Sequence, residues 1–130
     1  MTPSSSAPGA VVVPIFNEEE VLPELLRRLA AVFSSQPAVE WRAILVDDGS
    51  RDRSATLISA HAASDPRFTL VELSRNFGFQ AALSAGLAAA AEADAVITMD
   101  GDLQDPPELV VELVSAWRAG GEVVRAVRRS

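Results

Sequence analysis

Two aspartates separated by one glycine, Asp100-Gly101-Asp102, stand between an apolar run and a proline-rich segment, Leu103-Gln104-Asp105-Pro106-Pro107-Glu108. The run before them, Ala95-Val96-Ile97-Thr98, reads as the end of a buried strand. The segment after them reads as a helix start. Asp105 can cap, proline is pre-organised for a first turn, and Glu108 sits where a capping box wants it. Two carboxylates at the end of a strand can converge on one oxygen-loving cation. Mg2+ or Mn2+ is held in this way, by a carboxylate or two and the phosphates of a substrate. A solvated acidic loop is the plainer reading of an isolated Asp-x-Asp. The context weighs against it, because a second acidic pair, Asp47-Asp48, closes another apolar run.

The elements that must position these groups follow from hydrophobic periodicity. Residues 1–9 are a Pro/Ser-rich, mobile lead, and residues 10–130 form one domain. Ala10–Phe16 is a β-branched run with Pro14 near its end, where a missing donor is tolerated. Val21, Leu22, Leu25, Leu26, Leu29, Val32 and Phe33 follow at helical spacing. That helix starts between Glu19 and Pro23 and stops by Pro37. Trp41–Val46 is a second strand, and Ser50 or Asp52 can cap a short helix closed by Pro66. Phe68–Leu73 is a third strand with Ser74-Arg75-Asn76-Phe77-Gly78 as its exit loop. An Ala-rich helix spans Phe79–Ala91, where Gly86 costs about 1 kcal/mol against alanine unless close approach is needed. A fourth strand, Asp94–Met99, precedes a helix over Pro106–Arg118, and Glu122–Val127 offers a fifth strand. Alternating strands and helices specify an α/β fold with a Rossmann-like, doubly wound, mainly parallel sheet. Ligands of such sheets sit beyond the carboxyl ends of the strands. Asn17-Glu18, Asp47-Asp48, Arg75-Asn76 and Asp100/Asp102 all fall there. His61, alone in its helix, reads as a surface or packing residue.

Composition removes several classes. The chain has 130 residues, of which 48% are hydrophobic, which suits one domain with a real core. With 11 Lys+Arg against 18 Asp+Glu, a nucleic-acid partner is not expected. All the cations are arginines, so lysine Schiff-base chemistry and a phosphate-loop lysine are excluded. No cysteine is present, so neither a disulfide nor a thiolate metal site can form. The sequence shows no membrane-spanning run and no signal peptide, which points to a soluble, cytoplasmic chain.

A nicotinamide-binding domain would need a glycine-rich turn after the first strand. Here that turn is Phe16-Asn17-Glu18-Glu19, with carboxylates where a pyrophosphate would lie. A phosphoacceptor receiver would need its acidic pair after the first strand and a later lysine. A metal-dependent nucleotide-sugar site fits better. Asp47 can accept from a base N–H, while Asp100 and Asp102 hold a cation against a diphosphate.

Four segments in order carry a resemblance: Val12-Val13-Pro14-Ile15-Phe16-Asn17-Glu18, Leu45-Val46-Asp47-Asp48-Gly49-Ser50, Leu73-Ser74-Arg75-Asn76-Phe77-Gly78, and Met99 to Glu108. Together they resemble family-two glycosyltransferases of the GT-A fold. More narrowly, they are similar to the dolichol-phosphate mannosyltransferase-like and bacterial polyprenyl-phosphate glycosyltransferase branch. The resemblance implies transfer of a sugar from a UDP- or GDP-linked donor to a polyprenyl phosphate, with Mg2+ or Mn2+ and with inversion. It implies that Pro14, Phe16 and Glu18 line the nucleotide pocket, that Asp47 reads the base, and that Asp48 supports the ribose or its own loop. Asp100 and Asp102 become the catalytic, metal-holding pair, with Gln104 as a further oxygen ligand. Arg75, Asn76 and Gly78 shape the nucleotide side. Phe16 stands where tyrosine is common, and Ala93 where a glycine often precedes the fourth-strand aspartate.

The family's catalytic domain continues past the length available here, so the 130 residues correspond to its donor-binding half. Two expectations follow. The isolated chain binds nucleotide without turning over, and the strand bearing Val96 and Ile97 is left at an open edge prone to self-association. Complete relatives are expected to act at the cytoplasmic face of a membrane. The alternative to an enzyme is a truncated, non-catalytic nucleotide- or protein-binding module.

Overall fold

A computed structural model describes residues 7–118. Four strands and four helices alternate along them: β1 (Ala7–Ile15), α1 (Leu22–Ser35), β2 (Val39–Asp47), α2 (Ser54–Ser64), β3 (Phe68–Glu72), α3 (Phe79–Ala89), β4 (Ala95–Thr98) and α4 (Leu109–Arg118). All strand pairs are parallel, in the order β3-β2-β1-β4. This is the expected α/β, doubly wound sheet. The candidate fifth strand over Glu122–Val127 lies outside the described residues, as does the lead up to Ser6.

The sheet is apolar on both faces because helices cover both. On one face Val11, Val13, Ile15 and Ile97 meet Leu25 and Leu29 of α1, Ile58 of α2, and Val110 and Val114 of α4. On the other, Ala10, Val12, Ile44 and Val46 meet Ala82 and Leu83 of α3. The two-sided cover is written into β2. Its first residues alternate buried and exposed, and from Ala43 onward every residue is buried. His61 is a packing residue, edge-on to the Phe68 ring at 4.3 Å beside the Phe33–Trp41 stack.

Several boundaries differ from the sequence expectation. β1 begins at Ala7 rather than Ala10, because its register with β2 continues back to Val39. α2 starts at Ser54, and of the two expected capping residues Asp52 takes the Ser54 amide on Oδ1 at 2.9 Å, while Ser50 instead receives the Asn17 amide. α4 begins at Leu109 rather than Pro106. Its entry is a tight turn in which the amides of Leu109 and Val110 bond the carbonyls of Pro106 and Pro107. Glu108 does not close a capping box. Its carboxylate takes both Nε (3.0 Å) and Nη2 of Arg28, tying the entry of α4 to α1.

Gly86 shows why α3 is built from small residues. A Cβ there would run into Cγ1 of Val12 and stand 3.0 Å from Cγ2 of Val46. Gly86→Ala should therefore destabilise the protein by about 1–3 kcal/mol of overpacking, despite a helix-propensity gain of about 1 kcal/mol. Urea denaturation checks this, and a more stable variant would show that α3 does not need its close approach.

Candidate functional site

The chain order places the topological switch between β1 and β4, since β2 and β3 build outward on one side of β1 and β4 returns on the other. A cleft of about 370 Å3 opens there, beyond the carboxyl ends of the strands. β1 and its exit contribute Pro14, Ile15, Phe16 and Glu18. The two central loops contribute Asp48, Asn76 and Gly78, α3 contributes Phe79, and the loop after β4 contributes Asp100, Gly101 and Asp102.

Each wall is fixed by bonds between loops distant in sequence. The Asn17 amide donates to Ser50 Oγ at 2.8 Å, and the Arg51 amide donates to Asn17 Oδ1 at 2.8 Å. Asn17 holds a left-handed backbone, φ 53°, which asparagine tolerates. The Glu18 amide donates to Ser54 Oγ at 2.8 Å and the Glu19 amide to Asp52 Oδ2 at 3.1 Å. With its amide so held, Glu18 contributes to the cleft wall.

Asp48 is buried, and its carboxylate is spent on structure. Oδ1 accepts from the Phe77 amide at 2.8 Å, and Oδ2 accepts from the Gly78 amide at 3.0 Å and from Asn76 Nδ2 at 3.2 Å. Gly49, φ +73°, lets this loop lie against its neighbour, for a Cβ there would strike the backbone of Arg75 and Asn76. Asp47 is 1% exposed and stands outside the cleft wall; Oδ2 accepts from the Ser50 amide at 3.3 Å, and Oδ1 has no partner.

The loop after β4 is shaped by two constraints. Gly101 is buried against Ile15, whose Cδ1 would clash with any Cβ. Leu103 is forced to φ 66°, an unfavourable setting for a leucine, costing roughly 1–2 kcal/mol. The Gln104 amide donates to Asp102 Oδ1 at 3.0 Å. Gln104 is exposed and does not line the cleft. Arg75 also stands outside it, with its guanidinium 4.2 Å from the Phe77 ring centroid. Of the residues singled out in the sequence, the cleft thus gathers Pro14, Phe16, Glu18, Asp48, Asn76, Gly78, Asp100 and Asp102, and leaves out Asp47, Arg75 and Gln104. Sequence reasoning missed Phe79 as a wall and the Ser50–Ser54 latch, although Ser50 and Asp52 were visible as helix-capping types.

The cleft is electrostatically negative. Burial pushes the Glu18 carboxyl above its ordinary value, and Asp102, Asp52 and Asp100 add to the rise. At Asp52 burial also pushes upward, but hydrogen bonds from Ser54 and Glu19 outweigh it and the carboxyl lies below its ordinary value. Among the described residues no arginine lines the cleft. Among the described residues no three His, Cys, Asp or Glu side chains form a ready cage for a metal. The donor set still fits Mg2+ or Mn2+. Both ions prefer hard oxygens, and one or two carboxylates suffice when substrate phosphates complete the shell.

A parallel sheet with an acidic, loop-built cleft at its switch point defines a Rossmann-like ligand-binding domain, and comparison with known proteins narrows it. Residues 10–130 match the model for Glycosyl transferase family 2, and the chain belongs to that family. It is 48% identical over 122 residues to an undecaprenyl-phosphate 4-deoxy-4-formamido-L-arabinose transferase of Pseudomonas fluorescens, covering 93% of this chain and 35% of that protein. In structure it is similar to a mannosyltransferase from Pyrobaculum calidifontis in complex with GDP-Man and Mn2+. There the TM-score is 0.73 and the identity 26%, over 93% of this chain and 35% of the other. It is also similar to the glucosyl-3-phosphoglycerate synthase of Mycobacterium tuberculosis in complex with Mn2+, UDP and glucosyl-3-phosphoglycerate, with a TM-score of 0.62 and 26% identity over 85% and 39%. The chain spans about a third of the length of the curated relatives it matches. No helix among the described residues is long and apolar enough to cross a membrane.

The raised Glu18 carboxyl sets a pH dependence. The folded state holds this proton more tightly than the unfolded chain does. Stability is therefore lost as pH rises from the ordinary value of 4.5 through the raised native one, and stays lost above it. Glu18→Gln should unfold at higher denaturant concentration than wild type at pH 7 in chelator, with the difference closing below about pH 4. A less stable variant at neutral pH would mean that Glu18 is not repelled by its neighbours.

Proposed function

We propose that the cleft binds a nucleoside-diphosphate sugar with a divalent cation, and that the protein donates the sugar to a polyprenyl phosphate with inversion. The observation that carries this reading is the gathering of Glu18, Asp100 and Asp102 at the switch point, with no arginine among the described residues of the cleft wall to balance them. Asp100 and Asp102 would hold Mg2+ or Mn2+, which neutralises the diphosphate and stabilises charge on the departing nucleotide. Pro14 and Phe16 flank the nucleotide on one side, and Asn76, Gly78 and Phe79 on the other. Asp47 Oδ1 is buried without a donor and stands outside the cleft, so it would accept a base N–H only if its loop opened toward the nucleotide. Gln104, exposed on the loop, would reach the cation only if that loop turned inward. A polyprenyl phosphate is already an anionic nucleophile, so the protein's task toward it is alignment rather than proton removal. The name of the undecaprenyl-phosphate relative supports this acceptor class, and the GDP-Man and UDP complexes support the donor class.

Binding to the native state alone raises stability. Mn2+ together with GDP or UDP should therefore raise the melting temperature more than either component separately. Asp102→Asn should remove the metal-dependent part. Equal nucleotide binding with and without chelator would refute the metal role. Nucleotide binding without sugar transfer to polyprenyl phosphate would favour the alternative of a non-catalytic binding module.

Among the described residues β4 pairs only with β1. We propose that its other edge supports self-association of the isolated chain. Sedimentation velocity should show oligomers growing with concentration, and a monomer at all concentrations would refute this.

A further inference from the structure

We propose that Asp105 is a positioning residue for Asp100, acting through one water molecule held between their carboxyl groups. The inference rests on the cation-binding reading of the cleft and adds a residue to it. Asp105 is 7% exposed, and its Oδ2 has no hydrogen-bond donor. The sequence offers it as a helix cap, but the first amides of α4 bond the carbonyls of Pro106, Pro107 and Glu108 instead. A polar atom withdrawn from water in this way is costly unless something donates to it.

The surroundings of the Asp105 carboxyl decide what that donor can be. One neighbouring crevice is apolar, bounded by Ile97, Met99 and α4, and has no room for a water molecule. The other is a cavity of about 40 Å3 that Asp105 shares with Asp100 and Thr98, lined also by Pro14, Phe79, Leu83 and Met99. A water needs roughly 10–15 Å3 and two or more polar partners, and this cavity offers both. Two carboxylates cannot donate to one another. A water between them donates one proton to each and so relieves Oδ2 while fixing the direction of the Asp100 carboxylate. Groups that orient a metal ligand from behind typically alter metal affinity by about 10–100-fold.

Three proteins test this by titration of Mn2+ alone, read by the EPR signal of the free ion, alongside melting in chelator. Asp105→Leu keeps the bulk and removes the acceptor. It should bind Mn2+ about 10-fold or more weakly, while its metal-free melting temperature holds or rises. Asp105→Asn keeps an acceptor oxygen and should stay within about threefold of wild type, well short of the loss expected from removing an orienting group. Wild-type affinity in Asp105→Leu, or equal losses in both variants, would overturn the inference. A lowered metal-free melting temperature with unchanged Mn2+ affinity would make Asp105 a structural residue only. A wild-type protein that binds no Mn2+ would instead defeat the functional reading. A crystal structure of the wild type decides independently of any variant's folding: density for a water between Asp105 Oδ2 and the Asp100 carboxylate is expected, and none would overturn the proposal.

Discussion

The buried carboxylate of Asp48 is the interaction on which the cleft depends. A carboxylate taken out of water is costly unless hydrogen-bond donors replace the water at both of its oxygens. Here two consecutive backbone amides, Phe77 and Gly78, and the Asn76 side chain supply them. Because those amides lead directly into α3, satisfying Asp48 also fixes where α3 begins and where Phe79 projects. Asn76 Nδ2 further donates to the Asp48 carbonyl at 3.1 Å, so one residue is held at both backbone and side chain. Of the two roles the resemblance left open for Asp48, the ribose or its own loop, its hydrogen bonds serve the loop.

The cleft is assembled against its own electrostatics. Glu18, Asp100 and Asp102 share it, while Arg27, Arg28 and Arg67 are paired with Glu24, Glu108 and Asp65 elsewhere. Such repulsion persists only because the apolar sheet and its two helical layers stabilise the fold independently. Leu103, held at positive φ in the same loop, adds backbone strain at the same place. The proposed cation would offset the repulsion among these carboxylates without needing a preformed cage.

Most of the fold was legible in local pattern. Apolar β-branched runs gave the strands, and 3.6-residue spacing, an alanine-rich run and helix start and stop residues gave the helices, because burial leaves its mark within a few residues. What the pattern could not show were bonds made across the chain. Glu108 reads locally as a capping-box residue but is claimed by Arg28, 80 residues away. Ser50 reads as a cap but receives Asn17, 33 residues away. Asp47 and Asp48 are chemically identical in the sequence. Their different fates follow from the strand's end, where the Asp47 carbonyl still accepts from Leu73 and the Asp48 amide still donates to Ile15. That geometry places the second carboxylate, not the first, over the next loop.

Pro14 looks like a flaw in a central strand and is better understood as the feature that lets the crevice open. The Ile15 carbonyl accepts from Asp48, so Ile15 directs its polar groups toward β2, and Pro14 must direct its own the other way, toward β4. The ladder between β1 and β4 has already ended there, with Val12 opposite Thr98 and a last bond from the Met99 amide to the Val12 carbonyl. A residue with a backbone N–H at position 14 would present an unsatisfied donor to the gap or draw the next strand residue into it. Proline removes that donor and permits the chains to part. Gly101 then fits beside Ile15 and the Pro14 carbonyl, where any larger residue would be expelled. The two aspartates on either side of that glycine are thereby held at the mouth of the gap, which is how a missing hydrogen atom in one strand comes to place the acidic chemistry of another.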